Sequence, residues 1–424
     1  MREYLKKLPQ EVQDLIHLAS NVASGNNMPA YLVGGCVRDL ILGVRNLDLD
    51  IAVEGDGIKF AEDFAKVLKA KLTRHKRFGT ATVILKDNLK IDIATARRET
   101  YPHPASLPLV TPGTLKDDLA RRDFTINAMA ISIGMRDFGR LIDFFRGKSD
   151  LSHKKIRILH NLSFIDDPTR ILRAIRFEKR YNFEIEPEAL ACLKRATRIK
   201  MLEKVQPQRL RDELILILKE EQPLRQIKRI KDLVGFGFIN SHLTVSKSTY
   251  KLLSSIENCI NWFKKIYSKR RQLDVWLIYF IGLTDSLNSN DVKAICKRFV
   301  FKRGEEKRIS TYKRLKRKFI LELRKGEIKP SKIFSLLEPL AYEIIILLKA
   351  KYKNRNIQRY IEDFFEIYNG IRIQICGDDL YRLGIVGGPY YQKIFAKVLK
   401  AKLNSLVKTK DEELALIKKL IKVA

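Results

Sequence analysis

Asp48 and Asp50 stand two residues apart, directly ahead of the apolar run Ile51-Ala52-Val53. On a strand, alternate side chains share a face, so the two carboxylates point the same way. Two hard oxygen donors on one face suit Mg²⁺ that also holds substrate phosphates. Upstream runs Gly34-Gly35-Cys36-Val37-Arg38-Asp39. Glycines there let a backbone pass close to a polyphosphate, and Arg38 adds a positive charge. Asp-x-Asp alone is common; the preceding Gly-Gly and Arg-Asp make it specific.

Two further runs carry chemistry. Arg121-Arg122-Asp123-Phe124-Thr125-Ile126-Asn127-Ala128 sets two guanidinium groups, an acid and an amide at short helical spacing. Arg122 can fork two phosphate oxygens, and Asn127 can bond a sugar hydroxyl. Equally, Asp123 can cap a helix of its own while Arg121 stays in solvent. In Asp166-Asp167-Pro168-Thr169-Arg170-Ile171-Leu172-Arg173-Ala174-Ile175-Arg176, Pro168 fits a first helical turn with an Asp as cap. Asp167, Arg170 and Arg173 then fall near one face, where an acceptor and donors can read a base edge. A plain N-cap with exposed arginines is the alternative.

These side chains need elements to hold them. Residues 11–23 and 58–68 read as helices, and residues 30–33, 49–53, 81–85 and 90–94 as strands, with a turn at Asp87-Asn88. Asp92 stands alone on the last of these strands as a candidate third carboxylate. The Pro-rich run from Tyr101 to Gly113 is neither helix nor inner strand. Beyond residue 150 strand signals fade, and from Asp167 the chain reads as basic amphipathic helices. Pro207, Pro223, Pro330 and Pro339 mark helix starts or joints. Residues 297–329 are dense in Lys and Arg around Phe299, Phe301, Tyr312 and Phe319, either as an RNA contact or as a solvated face over core aromatics. Asp411, Glu412 and Glu413 ahead of apolar residues predict an ordered C-terminal helix.

The chain has 424 residues, enough for two to four domains. Its 82 Lys plus Arg against 49 Asp plus Glu give a net charge of +33, which points to nucleic acid as partner. No apolar run spans a bilayer, residues 275–283 being among the strongest, so no membrane partner is expected. Five scattered cysteines offer no Cys-x-x-Cys pair, which argues against zinc and a disulfide framework and for a cytoplasmic protein.

Taken in order, the three runs resemble the class II tRNA nucleotidyltransferases (CCA-adding enzymes) and the bacterial poly(A) polymerases. Asp143-Phe144-Phe145-Arg146-Gly147 and Gln208-Arg209-Leu210-Arg211-Asp212-Glu213-Leu214 are similar to that family's third and fifth motifs. Phe144 and Arg146 stand where the family has Pro and its first Gly; Asp166 and Gln208 stand where it has Glu. The resemblance is strong over residues 28–220.

It implies an α+β fold: an N-terminal nucleotidyltransferase head of mixed β-sheet with helices (1–150), then an all-α neck reading the base (151–222), and a body (223–328) and tail (329–424) binding tRNA. It implies template-independent addition of CCA, or its terminal A, to the tRNA 3′ end from CTP and ATP, with release of pyrophosphate. Asp48 and Asp50 would hold Mg²⁺, with Asp92 as a possible third catalytic carboxylate. Gly34, Gly35, Arg38, Arg122, Asp123, Asn127, Asp167, Arg170, Arg173 and Arg176 would bind the nucleotide. C and A both expose an amino group beside a ring acceptor, so one Asp–Arg pair can admit both and refuse G and U. The full-length segment 97–118 leans towards an enzyme able to add A. A poly(A) polymerase, a CC-adding enzyme and a non-catalytic RNA-binding protein are the competing readings.

Overall fold

The structure is a computed structural model and describes residues 2–44, 48–86, 89–267, 272–315 and 317–422. The turn expected at Asp87-Asn88 lies outside them. Two compact units divide the chain, Met1–Phe238 and Ile239–Ala424.

In the first unit, strands β1 (Ala30–Val33), β2 (Leu49–Val53), β3 (Lys71–His75), β4 (Thr80–Ile84) and β5 (Lys90–Thr95) come early. A separate hairpin follows, β6 (Arg97–Thr100) and β7 (Leu109–Pro112), then β8 (Ala130–Ser132) and β9 (Leu141–Ile142). Seven of them form a mixed sheet in the order β3-β4-β5-β2-β1-β8-β9. The strands expected from sequence are present. β3 was missed because its residues are almost all exposed and polar, as an edge strand allows, so no alternation marks it. The Pro-rich run is no inner strand: β7 contains Pro112 and pairs only with β6.

Helices α1 (Arg2–Leu5), α2 (Gln10–Gly25), α3 (Gly35–Leu42), α4 (Gly57–Leu68) and α5 (Leu115–Ala120) accompany the sheet. In α4, Asp56 caps the N-terminus by accepting from the Ile58 and Lys59 amides, and Phe60, Ala61, Phe64 and Ala65 are buried on one side. The helix expected around Asp123 is replaced by a three-residue 3-10 turn, Thr125–Asn127. The Asp123 carboxylate is drawn into bonds with the Phe124 amide and the Asn127 side chain instead.

Next come α6 (Gly147–Ser152), α7 (Ser163–Asp166), α8 (Thr169–Arg180), α9 (Pro187–Arg198), α10 (Pro207–Leu218) and α11 (Pro223–Leu233), with a two-stranded parallel pair at Lys155–Ile156 and Glu184–Ile185. Pro207 and Pro223 open their helices, as expected.

The second unit is helical. Its apolar run Val275–Leu283 is a nine-residue helix, buried almost all round. Phe299, Phe301 and Tyr312 are buried and Phe319 half-buried, so these aromatics belong to the core rather than to an RNA face. The acidic run opens the helix Lys410–Lys422, where fully buried Glu413 accepts from the Gln374 and Ile375 amides and pairs with Lys402. None of the helices among the described residues is long and apolar enough to cross a membrane.

The turn into α6 shows how tightly the head is built. Asp143 accepts from the Gly147 and Lys148 amides at 2.7 and 2.9 Å. A Cβ on Gly147 would lie 2.2 Å from the Thr125 carbonyl oxygen. Arg146, exposed, takes a left-handed φ of 59°. Relieving that strain by Arg146→Gly is expected to stabilise the protein by about 0.5–1 kcal/mol. Gly147→Ala is expected to cost about 1–3 kcal/mol by overpacking. Urea denaturation of both variants reads the opposite signs.

Candidate active site

The strand end at Val33 leads straight into α3 through Gly34, whose amide donates to the Met129 carbonyl at 3.3 Å. Gly34 is the N-cap, with φ 73° and ψ −130°. A Cβ there would lie 2.4 Å from Arg122 Nη1 and 3.9 Å from Asp50 Oδ2. Glycine is therefore needed twice, for the backbone angle and for the guanidinium that lies against it. Arg122 is aimed from behind by Asp118, fully buried, whose Oδ2 accepts from its Nη2 at 2.9 Å and Nε at 3.3 Å. The same carboxylate takes Arg121 Nη2 at 2.6 Å. Burial opposes ionisation of Asp118, but Arg122 and Arg121 hold its pKa below the ordinary value.

Asp48 lies just before β2 and is exposed; Asp50 lies on β2 and is half-buried. Parallel pairing sets Asp50 opposite Asp92 on β5, and antiparallel pairing sets Asp92 opposite Thr82 on β4. Thr82 Oγ1 donates to Asp92 Oδ1 at 2.6 Å. Asp48 and Asp50 line the cleft described below; Asp92 does not. Burial raises the Asp50 pKa to about 6, and the charges of Asp92 and Asp48 push the same way against Arg122 and Arg38. Cys36, beside it, is a thiol that burial pushes up to about 12, so it is not a nucleophile. No group of three or more His, Cys, Asp or Glu among the described residues forms a ready metal cage. The donor set nonetheless fits a divalent cation: two hard carboxylates, one of them resisting ionisation until a cation compensates it.

A cleft of about 870 Å³ opens here, lined by the ends of α3 and β2, the β6–β7 hairpin, α8 and α10. Arg38, Arg122, Asp123, Asn127, Asp167, Arg170, Arg173 and Arg176 all line it. Sequence spacing had grouped them in three separate runs; the fold brings them into one wall.

Their partners were not foreseen. Arg38 lies buried over the rings of Phe177 and Tyr181, donating to Asp39 Oδ1 at 2.8 Å and Asn127 Oδ1 at 2.5 Å. Asn127 donates to Asp123 Oδ1 at 2.8 Å. Arg173 forks Asp123 Oδ2 at 2.7 and 2.9 Å and reaches Glu213 on α10 at 2.9 Å. Arg176 stands 3.6 Å from Glu213 and 3.5 Å from Glu220. Burial would push Asp123 up; Arg173 and the hydrogen bonds from Asn127 and Arg173 bring it down to about 2.

Asp167 does act as a cap, its Oδ1 accepting from the Thr169 amide and hydroxyl, while its Oδ2 takes Arg209 Nη2 at 2.7 Å. Arg170 donates to Ser163 Oγ at 2.7 Å and to the Arg121 carbonyl at 2.6 Å. Asp118, Arg209 and Glu213 were missed as parts of the site. Helical spacing offered a signal: Asp118 precedes Arg122 by four, and Arg209 precedes Glu213 by four.

A cleft with a carboxylate pair under a helix N-terminus, closed by an arginine-rich helical neck, defines a nucleotidyltransferase head. Residues 30–157 match the poly(A) polymerase head domain. The A-adding tRNA nucleotidyltransferase of Geobacter sulfurreducens is 38% identical over 416 residues, 96% of this chain and 47% of the relative. The chain spans about half the length of the curated relatives it matches. Among solved structures, a CCA-adding enzyme in apo form II aligns over 99% of this chain and 98% of its own, with TM-score 0.76 and 34% identity. The Thermotoga maritima CCA-adding enzyme complexed with tRNA-CCA aligns over 99% and 98%, with TM-score 0.73 and 33% identity. The chain belongs to the family of tRNA nucleotidyltransferases and poly(A) polymerases. Enzymes of this family use divalent metal ions.

Two outcomes follow. A folded pKa of about 6 at Asp50 means the native chain holds a proton that the unfolded chain has released by pH 4–5. The contribution of Asp50 to native stability therefore falls as pH rises from 4 to 6 and stays low above it. In a chelator, Asp50→Asn should melt higher than the parent above pH 6, by about 1–2 kcal/mol, with the gap closing towards pH 4. Thermal melts across pH 4–8 measure this. Asp123→Ala leaves Arg173 with Glu213 alone and Asn127 without its acceptor, and should cost about 3 kcal/mol, read by denaturant unfolding.

Proposed function

We propose that this chain adds nucleotides without a template to the 3′ end of tRNA, using CTP and ATP and including the terminal A. The observation that carries this is one cleft shared by the Asp48–Asp50 pair and by Asp167 and Arg170 of the neck. The A-adding and CCA-adding relatives support it.

In this reading the 3′-hydroxyl oxygen bonds the α-phosphorus and the bond to pyrophosphate breaks. Asp48 and Asp50 would hold Mg²⁺, which supplies charge neutralisation and a more acidic hydroxyl. Asp92 keeps that face of the sheet negative and so favours the cation. The Gly34 amide is held by the Met129 carbonyl, so the Gly35 amide receives a phosphate oxygen at the start of α3, and Arg122, fixed by Asp118, forks the triphosphate. Arg38, Asp123, Asn127, Arg173 and Arg176 act mainly by holding one another, and with them the neck against the head. Asp167 accepts from the exocyclic amino group of the base and Arg170 donates to its ring. Arg209 orients the Asp167 carboxylate.

The head (1–150) and neck (151–222) carry the chemistry, while the body (223–328) and tail (329–424) grip the acceptor arm of tRNA in the cytoplasm. With a net charge of +33, that grip rests on phosphate contacts.

Purified protein given tRNA ending at the discriminator, C or CC, with each labelled triphosphate, identifies the products. Addition of A to a CC end is expected; long A tracts or no incorporation would refute the reading. The Asp48→Ala, Asp50→Ala double variant should lose on the order of 10³-fold or more in incorporation. Its tRNA affinity should stay near that of the parent, and log affinity should fall linearly with log salt in both.

A further inference from the structure

Most of the cleft wall is charged, but one part is apolar and open. Val44 is 43% exposed, Phe78 37% and Leu107 37%, with Pro108 beside it in the wall. They come from three loops: Val44 just past α3, Phe78 in the 3-10 turn Lys76–Phe78, and Leu107 and Pro108 in the β6–β7 connection. Single exposed apolar side chains are ordinary on a surface. Three, from separate loops and converging on one polar cleft, form a place for an apolar ligand face.

Arg97 fixes two of these loops to each other. Its Nη1 donates to the Phe78 carbonyl at 2.9 Å, and its Nη2 and Nε donate to Glu99 Oε1 on β6 at 2.8 and 3.1 Å. Glu99 also accepts from Arg121 Nη1 at 3.0 Å and from the Tyr101 hydroxyl at 3.1 Å. The turn bearing Phe78 is thereby tied to the hairpin and to the segment that carries Arg122.

We propose that Phe78, assisted by Leu107, stacks against the terminal base of the RNA acceptor strand. This rests on the tRNA reading above. The incoming nucleotide meets hydrogen-bonding groups, which discriminate. The acceptor end presents a new base after each addition, so its holder must be indifferent to base identity. A π-face contact meets that need because every base has one. The cleft arginines meanwhile hold the phosphates that flank the stacked base.

The test uses the full chain and an RNA minihelix whose last nucleotide is 2-aminopurine. Binding to the parent should quench its fluorescence through stacking. Phe78→Ala should lose most of the quench, and Phe78→Tyr should keep it. In turnover, Phe78→Ala should raise KM for the RNA about 10-fold, leave KM for ATP unchanged, and be rescued by Phe78→Tyr. A quench that survives Phe78→Ala, or a rise in KM for ATP alone, overturns the proposal. A parent that quenches through Phe78 but adds no nucleotide would sink the tRNA-extension reading while leaving the stacking contact standing.

Discussion

A largely buried run of acids and arginines joined through one amide holds this site together: Asp39, Arg38, Asn127, Asp123, Arg173 and Glu213. Each member bonds the next, and together they reach from α3 to α10. Such a run is poor as a source of stability, because desolvating so many ions costs nearly what their attraction returns. Its effect is geometric. Each group has two partners, so no side chain can turn without leaving a neighbour buried and unpaired. The α8 and α10 wall is thus fixed relative to α3, a geometry that the proposed reaction between two bound substrates would need.

The same economy appears at Gly34. Removing one methyl-sized volume lets the Arg122 guanidinium lie against the backbone near Asp50. The result is a close approach of positive and negative groups. Asp50 remains the least comfortable carboxylate, since burial and two neighbouring acids raise its proton affinity. Sites that must bind a cation keep such unrelieved charge, and a more stable arrangement would bind it less well.

Residues of the cleft were legible where the signal was local. Asp48 and Asp50 needed only strand alternation, and Asp167 only a helix start at Pro168. The strands of the sheet centre were legible as apolar runs, whereas β3, polar and on the edge, left no pattern. What spacing could not give was the pairing across the chain. Arg38 and Asn127 lie 89 residues apart, Arg173 and Asp123 50, Arg209 and Asp167 42. Only the packed fold decides which carboxylate an arginine finds. For that reason Arg38, Arg173 and Arg176 read from sequence as ligand-binding groups, while in the structure much of their capacity goes to one another's acids.

The cations among the described residues of the cleft wall are all arginine: 38, 97, 121, 122, 170, 173, 176, 180 and 209. Lysine is abundant elsewhere in the chain, so composition does not explain this. A guanidinium carries five donors in a rigid plane, so it can satisfy a fixed carboxylate and still offer hydrogen bonds. Arg209 does so: Nη2 serves Asp167, and Nη1 is buried with no hydrogen-bond partner, as is Arg176 Nε. A lysine in either place would put a mobile, strongly hydrated charge where the acid needs a fixed fork. A wall that holds its own shape and, on the proposed reading, also binds polyphosphate and bases is therefore better built from arginine, because one side chain can do both without moving.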